Sequence, residues 1–392
     1  MNSPRRPRAR GRSPNGPPPG RNAPRGDRIA RVETYCLELP YRKAVQFHSV
    51  TEAKGQYLLV RLVTGDGAEG IAESVARPGQ TGEDPRRLAH GIETFFRPLL
   101  EGADPFDHNR LWGAMGRFRA CRTERALVDV ALWDLKGKLL AQPVCRLLGA
   151  GAPDPVPVGW IVHGDSARAQ TREAVRAVEE LGFSALKLKT WKRSLEDVAM
   201  VRDVRKAVGE DRIIWVDANG AYSETEARTI LPRLAEYGIA FIEEPCEFSD
   251  VRRMALMAKA LPVALLGDQS CGSLAAVHGL VRADAVGAVS VKLRRTGITE
   301  SLKIIALAEA AGIPVVIGTD SESRIGALAR IHLRAALPTL APWPTETHFF
   351  EKLADDVFAG AFNFKGGCIA VPDAPGFGAG IDWGKLEKYR VD

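Results

Sequence analysis

The chain has no CxxC spacing among its six cysteines, no apolar run near the length of a membrane span, and no charge surplus outside one terminal stretch. Each absence closes off a class of function. Cys36, Cys121, Cys145, Cys246, Cys271 and Cys368 are scattered along the sequence, which supports neither a disulfide framework nor a zinc ribbon. With no secretory signal among the first residues, they are read as reduced thiols in the cytoplasm. A membrane helix needs roughly 18 or more consecutive apolar residues, and no stretch approaches that. No membrane partner is expected.

The formal net charge of +6 has to be divided before it is interpreted. Residues 1–28 hold eight arginines against one acid, Asp27, and carry +7, whereas the remaining 46 basic and 47 acidic residues sum to −1. The body of the chain therefore offers no basic face for nucleic acid. Residues 1–28 also contain seven prolines and almost no apolar side chains, a composition that cannot bury enough surface to fold. They are expected to form a disordered Arg/Pro-rich tail whose contacts with polyanions are nonspecific. The prolines oppose the amphipathic helix of an organelle presequence.

What is present suits an α/β barrel with a second lobe. Residues 29–153 are expected to form an α+β capping domain. IARVETYCLEL alternates like a strand, QYLLVRLVTGDGAEGIAES reads as a hairpin turning at Gly-Asp-Gly, and residues 84–149 show helical spacing. The intervening YRKAVQFHSVTEAKG is expected to be a polar, mobile connection. Residues 154–350 are assigned to the barrel, starting with VPVGWIVHGD, and residues 351–392 to a turn-rich segment that returns to the first lobe. An eighth, irregular strand is expected between Pro342 and Glu346.

The barrel assignment rests on one stretch, Ala185 to Lys292. Lys187 and Lys189 stand in ALKLK, and then three carboxylates each close an apolar run: Asp217 in IIWVDAN, Glu243 in AFIEEP, Asp268 in PVALLGD. Lys292 closes VSVKL. From Lys189 the steps are 28, 26, 25 and 24 residues, which is one strand, one helix and two loops per step. Parallel strands at that period bring their C-terminal ends to one face, so these side chains should share a pocket.

Three oxygen ligands from separate strand ends suit Mg2+, with Mn2+ as a substitute, and the lack of His or Cys there argues against zinc. The alternative is that these acids only pair with helix N-termini or arginines. A metal on a substrate carboxylate favours the enolate formed when an α-proton leaves. Lys189 and Lys292, on strands four apart, would then stand on opposite faces of that carbon. Lys187 points the same way as Lys189, and its charge is expected to lower the neighbouring lysine's pKa.

ALKLK, VDAN, IEEP, GDQS and VKLRRTG in this order resemble the muconate-lactonizing subgroup of the enolase superfamily, from about Ile29 to the end. The resemblance implies a modified (β/α)7β TIM-type barrel under an N-terminal cap. It also implies Mg2+ on Asp217, Glu243 and Asp268, catalysis by Lys189 and Lys292 with Lys187 auxiliary, and a homo-oligomer, often an octamer. A lysine base working with Mg2+ is a recurring way in which this superfamily forms and stabilises its enolates. GTDSESRIGALA and PTETHFFEKLADDVF resemble cycloisomerase segments and bring Glu322 and Glu346 to the site, with Asn219 beside Asp217. No histidine follows the seventh strand, as mandelate racemases would require.

This sequence departs from the pattern at Gln269, where Glu is usual, and at Asp320 and Ser321, which replace an apolar pair. Asp320 either restores a charge beside Lys292, reads a cationic or amino group on the substrate, or lies on the surface. Arg295 is read as a strand-end charge. His48 falls on the segment that corresponds to a specificity loop, and Glu73 and Arg77 are candidates to face the pocket. The expected activity is cycloisomerisation of a muconate-type carboxylate. Racemisation or epimerisation of an amino-acid derivative and dehydration use the same lysines, and a non-catalytic scaffold with a polyanion-binding tail is the rival from a different class.

Overall fold

The computed structural model describes residues 25–392 except 48, 49, 165, 191, 193, 248, 249 and 338–342. His48 and residues 1–24 of the tail thus lie outside the described residues. Residues 25–28 do not belong to a tail. Arg25–Asp27 form a short 3-10 turn, and Arg28 donates from its guanidinium to Gly102 O at 2.8 Å.

Three antiparallel strands, Ile29–Phe47, Val50–Thr64 and Glu69–Ala76, make the capping sheet. In the connection expected to be mobile, residues 41–47 and 50–55 are instead strand. The first two strands pair as far as Phe47 and Val50, with register shifts between Ile29 and Arg31 and between Pro40 and Val45. Its apolar residues explain the difference. Tyr41 and Val45 are buried, and the Tyr41 ring meets Phe349 edge-on at 5.7 Å, so the ribbon leans on the barrel. The turn at Gly65-Asp66-Gly67 is as expected, with Gly67 at φ 87°, a conformation glycine adopts without strain. Helices follow, the longest being Arg122–Leu139, which packs on the third capping strand and on the barrel helix Leu293–Ala310.

Seven parallel strands form the barrel sheet in sequential order: Trp160–Val162, Ala185–Lys189, Ile213–Asp217, Phe241–Glu243, Ala264–Gly267, Ala288–Val291 and Val315–Ile317. The ring closes through an irregular eighth segment. Thr345 N donates to Pro157 O at 3.1 Å and Glu346 N to Ile317 O at 2.9 Å, bridging the segment just before the first strand to the seventh. The outer helices start at side-chain caps that satisfy free backbone N–H groups, among them Ser166, Ser194, Ser223, Asp250, Ser273 and Ser323. The segment after the barrel makes a short strand, Cys368–Ile369, paired with Val156–Pro157. It ends with Val391 N donating to Cys36 O of the cap at 2.9 Å.

Strand periodicity divides the barrel interior into layers. Alternate residues share a face, and Ala185, Trp215, Phe241, Leu266, Ala288 and Val316 form one buried apolar cluster. Two residues further along the same strands stand Lys187, Asp217, Glu243, Asp268, Ser290 and Gly318. The apolar layer is the floor and the charged layer is the site.

Candidate active site

The charged layer opens into a cavity of about 530 Å³ at the C-terminal ends of the strands. Its wall includes Lys187, Lys189, Asp217, Asp268, Lys292 and Glu346, so side chains far apart in sequence converge as the strand period required. Lys187 is the hub. Its buried ammonium lies 2.9 Å from Asp217 Oδ2, 2.9 Å from Glu243 Oε2 and 3.0 Å from Glu346 Oε1. Burial alone would lower its pKa, but the surrounding carboxylates outweigh that and hold it well above the usual lysine value. Lys187 is thus a fixed cation whose charge is absorbed by acids.

Lys189 Nζ donates to Asp217 Oδ2 at 2.6 Å and Asn219 Oδ1 at 2.7 Å. Asn219 reaches this position from a left-handed backbone, φ 48°, with its N–H on Asp217 Oδ1. Across the ring, Lys292 Nζ donates to Asp268 Oδ2 at 2.8 Å. Gly318 leaves room for that side chain, because a Cβ there would stand 2.8 Å from Lys292 Cε and 2.5 Å from Ser290 Oγ. Three strands lie between those that carry the two lysines.

Asp217, Glu243 and Asp268 end neighbouring strands or the turns just beyond them, and their donor set is oxygen only. Among the described residues no three acids, imidazoles or thiols already close on one point; the carboxylates turn to the lysines instead. Two observations fit a cation here. Glu243 Oε2 is buried and accepts no well-aligned hydrogen bond, although Lys187 stands beside it, and burial together with the Asp217 charge pushes Glu243 well above the usual carboxylate range.

Of the remaining candidates, some line the cavity and others do not. Gln269 lines the cavity with an exposed side chain and does not pair with Lys292. Arg295 is no solvated charge: it donates to Asp268 O at 2.6 Å and Asp268 Oδ1 at 3.1 Å. Asp320 is not on the surface, since its side chain is 14% exposed and stands 3.5 Å from Lys292 Nζ. Glu322 faces away from the cavity, bound by the buried Arg330 and by Thr319 Oγ1 at 2.9 Å. Arg77 lines the cavity, whereas Glu73 accepts the backbone N–H of Ser323 at 2.7 Å.

Two contributors were not singled out from sequence. Glu244, at φ 35°, accepts from Asp268 N at 2.8 Å and Ser270 N at 2.7 Å and so shapes the turn that carries Asp268. The second Glu of IEEP was the signal for it. His163 lines the cavity with its Nε2 buried and unpaired, and burial, then Lys352 and Lys189, push its pKa down to about 3. A histidine ending the first barrel strand was the signal there.

Residues 31–149 match the "Mandelate racemase / muconate lactonizing enzyme, N-terminal domain" model, and residues 169–385 match "Enolase C-terminal domain-like". The chain belongs to the muconate-lactonizing subgroup of the enolase superfamily. Within that superfamily it is 31% identical over 367 residues to a chloromuconate cycloisomerase of Pseudomonas putida, covering 92% of this chain and 99% of that one. It is 28% identical to a muconate cycloisomerase of Acinetobacter lwoffii, covering 93% and 97%. A solved muconate lactonizing enzyme from Pseudomonas fluorescens, complexed with muconolactone, superposes with a TM-score of 0.88 at 28% identity, covering 93% and 100%. The modified TIM-type barrel with its cap is therefore the superfamily fold. No helix among the described residues is long and apolar enough to cross a membrane.

Proposed function

We propose that this chain is a Mg2+-dependent isomerase that forms an enolate from a carboxylate substrate, with muconate-type cycloisomerisation as its reaction. The observation that carries the reading is the pair of lysines, Lys189 and Lys292, flanking three strand-end carboxylates on opposite sides of one cavity. The relatives named cycloisomerases support it.

Asp217, Glu243 and Asp268 would hold Mg2+, with Mn2+ as a substitute. When bound, the ion supplies positive charge that offsets the second negative charge of an enolate. Every other part belongs to the chain. Lys187, locked among acids, keeps the ligand carboxylates oriented and contributes a permanent charge. One substrate carboxylate adds across the double bond conjugated to the other, and a lysine ammonium delivers the proton to the resulting carbanion. Lys189 is positioned for that transfer by Asn219, and Lys292 by Asp268. The floor of Trp215, Phe241 and Leu266 keeps water from entering beneath the substrate.

The opposed lysines favour one second reading, racemisation or epimerisation, in which one lysine removes an α-proton and the other returns it. Proton NMR in D2O with Mg2+ separates the two. Deuterated lactone from cis,cis-muconate, absent with Lys189→Ala, establishes cycloisomerisation. Deuterium appearing only at an amino-acid α-carbon transfers the assignment to racemisation, and lack of exchange with every substrate, together with lack of Mg2+ binding, rejects the site.

A further inference from the structure

The cavity wall beyond Lys292 is unusual for a ligand whose middle is hydrocarbon. Among the described residues its large apolar side chains are Ile161 and Phe349, while Arg77, Arg294, Arg295 and Asp320 gather at one end. Among these four, Asp320 carries a buried acceptor that nothing else in the described protein uses. Its Oδ1 lies 3.5 Å from Lys292 Nζ and 3.7 Å from Arg295, and its Oδ2 is buried with no hydrogen-bond partner. A largely buried carboxylate with no hydrogen bond inside the protein is costly, and the 14% of the side chain left exposed lies in the cavity wall, where a ligand can supply one.

The turn that presents Asp320 is built to hold it still. Its N–H donates to Glu322 Oε2 at 3.0 Å, and its carbonyl accepts from Arg77 at 3.2 Å. Ser321 follows at φ 80°, a left-handed conformation that a residue with a Cβ adopts only under constraint. The constraint comes from both lobes: Tyr57 of the cap donates to Ser321 O at 3.0 Å, and the Ser321 N–H donates to Thr319 Oγ1 at 2.9 Å. Strain of this kind is kept where an adjacent group must be aimed.

We propose that Asp320 is a specificity residue that accepts a hydrogen bond from a neutral donor, a hydroxyl or an amide N–H, on a carbon next to the reacting centre of the substrate. This inference rests on the enolate-forming reading of the site and narrows its substrate class. Charge decides against an ammonium. Burial would raise the Asp320 pKa, but Lys292, Arg295 and Arg294 together hold it well below the usual range, so its charge is already balanced. An ammonium would add one more cation to a cluster that has no spare anion. A neutral donor in the cavity bonds the part of the carboxylate that still faces it without that repulsion.

Binding of four saturated dicarboxylates of muconate's length tests this, measured calorimetrically with Mg2+ present: adipate, 2-hydroxyadipate, 2-aminoadipate and N-acetyl-2-aminoadipate. The hydroxy or the N-acetylamino ligand should bind at least about tenfold tighter than adipate, the typical yield of a hydrogen bond to a charged acceptor. Which of the two gains more identifies the donor, and the free amino ligand should gain nothing. Asp320→Leu should erase the preference, and Asp320→Asn, which keeps shape and an acceptor, should retain part of it. Asp320→Asn decides alone if the leucine variant does not fold. No gain over adipate, a gain that survives in both variants, or tightest binding by the free amine overturns the inference. Muconate lactonisation is scored in parallel on the same protein. If it proceeds while the donor preference is missing, Asp320 has been misread; if neither lactone nor Mg2+ binding appears, the enolate reading has failed.

Discussion

Glu73 of the capping sheet accepts the backbone N–H of Ser323 at 2.7 Å, so a side chain of one lobe closes the N-terminus of a helix in the other. Burial pushes Glu73 up to about 8, with the Ser323 hydrogen bonds pulling it back only in part. An unfolded chain releases that proton near the ordinary 4.5, and the folded chain keeps it until about 8. The stability it confers is thus complete below the lower value and falls as pH rises to the upper one. Glu73→Gln, neutral throughout, should show a shallower loss of Tm across that window than the wild type. Parallel slopes for the two proteins would remove Glu73 as the cause.

Lys189→Ala and Lys292→Ala should distinguish a proton donor from a fixed charge. Loss of a positioned acid or base costs about 10²–10⁴-fold in rate. In cycloisomerisation one substitution should abolish deuterium incorporation into lactone and the other should mainly slow it. Racemisation needs both lysines, so equal and complete losses, measured from each enantiomer by NMR, would favour that reading.

Metal binding should raise stability by mass action, about 2.7 kcal/mol at a free concentration a hundred times Kd. A calorimetric scan with added Mg2+ should therefore show a higher Tm, and chelation should abolish turnover. Asp268→Asn should shrink both effects. A Tm indifferent to Mg2+ would mean that the carboxylates serve Lys187 and Lys292 alone.

The buried pair Arg330 and Glu322 supports the turn that carries Asp320. Removing one member of a buried pair strands the other, at a cost of about 3–5 kcal/mol. Arg330→Met should destabilise by that amount, read from urea unfolding. Adding Glu322→Gln should recover a substantial part, and strict additivity would show that the two do not act as a pair.

Deleting residues 1–24 separates catalysis from charge. Turnover should persist, and retention on a polyanion column should drop, because the arginines there supply the excess positive charge. Loss of turnover would give those residues a part in the site.

The charged layer was legible because it follows from strand period: each apolar run announced its end with a residue that chemistry needs. Lys187, Asp217, Glu243 and Asp268 were found that way. Partners were not legible, since a sequence shows that Arg295 exists but not that its guanidinium lies beside Asp268 rather than in water. Glu73 and Glu322 were misplaced for the same reason: both sit beside pocket residues in sequence, yet their carboxylates satisfy helix and turn groups. The strand at residues 41–47 and 50–54 was missed because its polar composition outweighed a few anchors, Tyr41 and Val45, whose burial needs the barrel.

The closure of the ring has a consequence for how the protein is made. The imidazole of His348 bonds Gly159 O across 189 residues of chain, and the chain end must still reach back to Cys36. Contacts this distant form late in folding, and on a ribosome they cannot form until the C-terminal third has emerged. Until then the first barrel strand is an unpaired edge, exposed to other nascent chains. Expression at lower temperature or with chaperones, and a loss of soluble yield on trimming the last few residues, are the practical signs of that dependence.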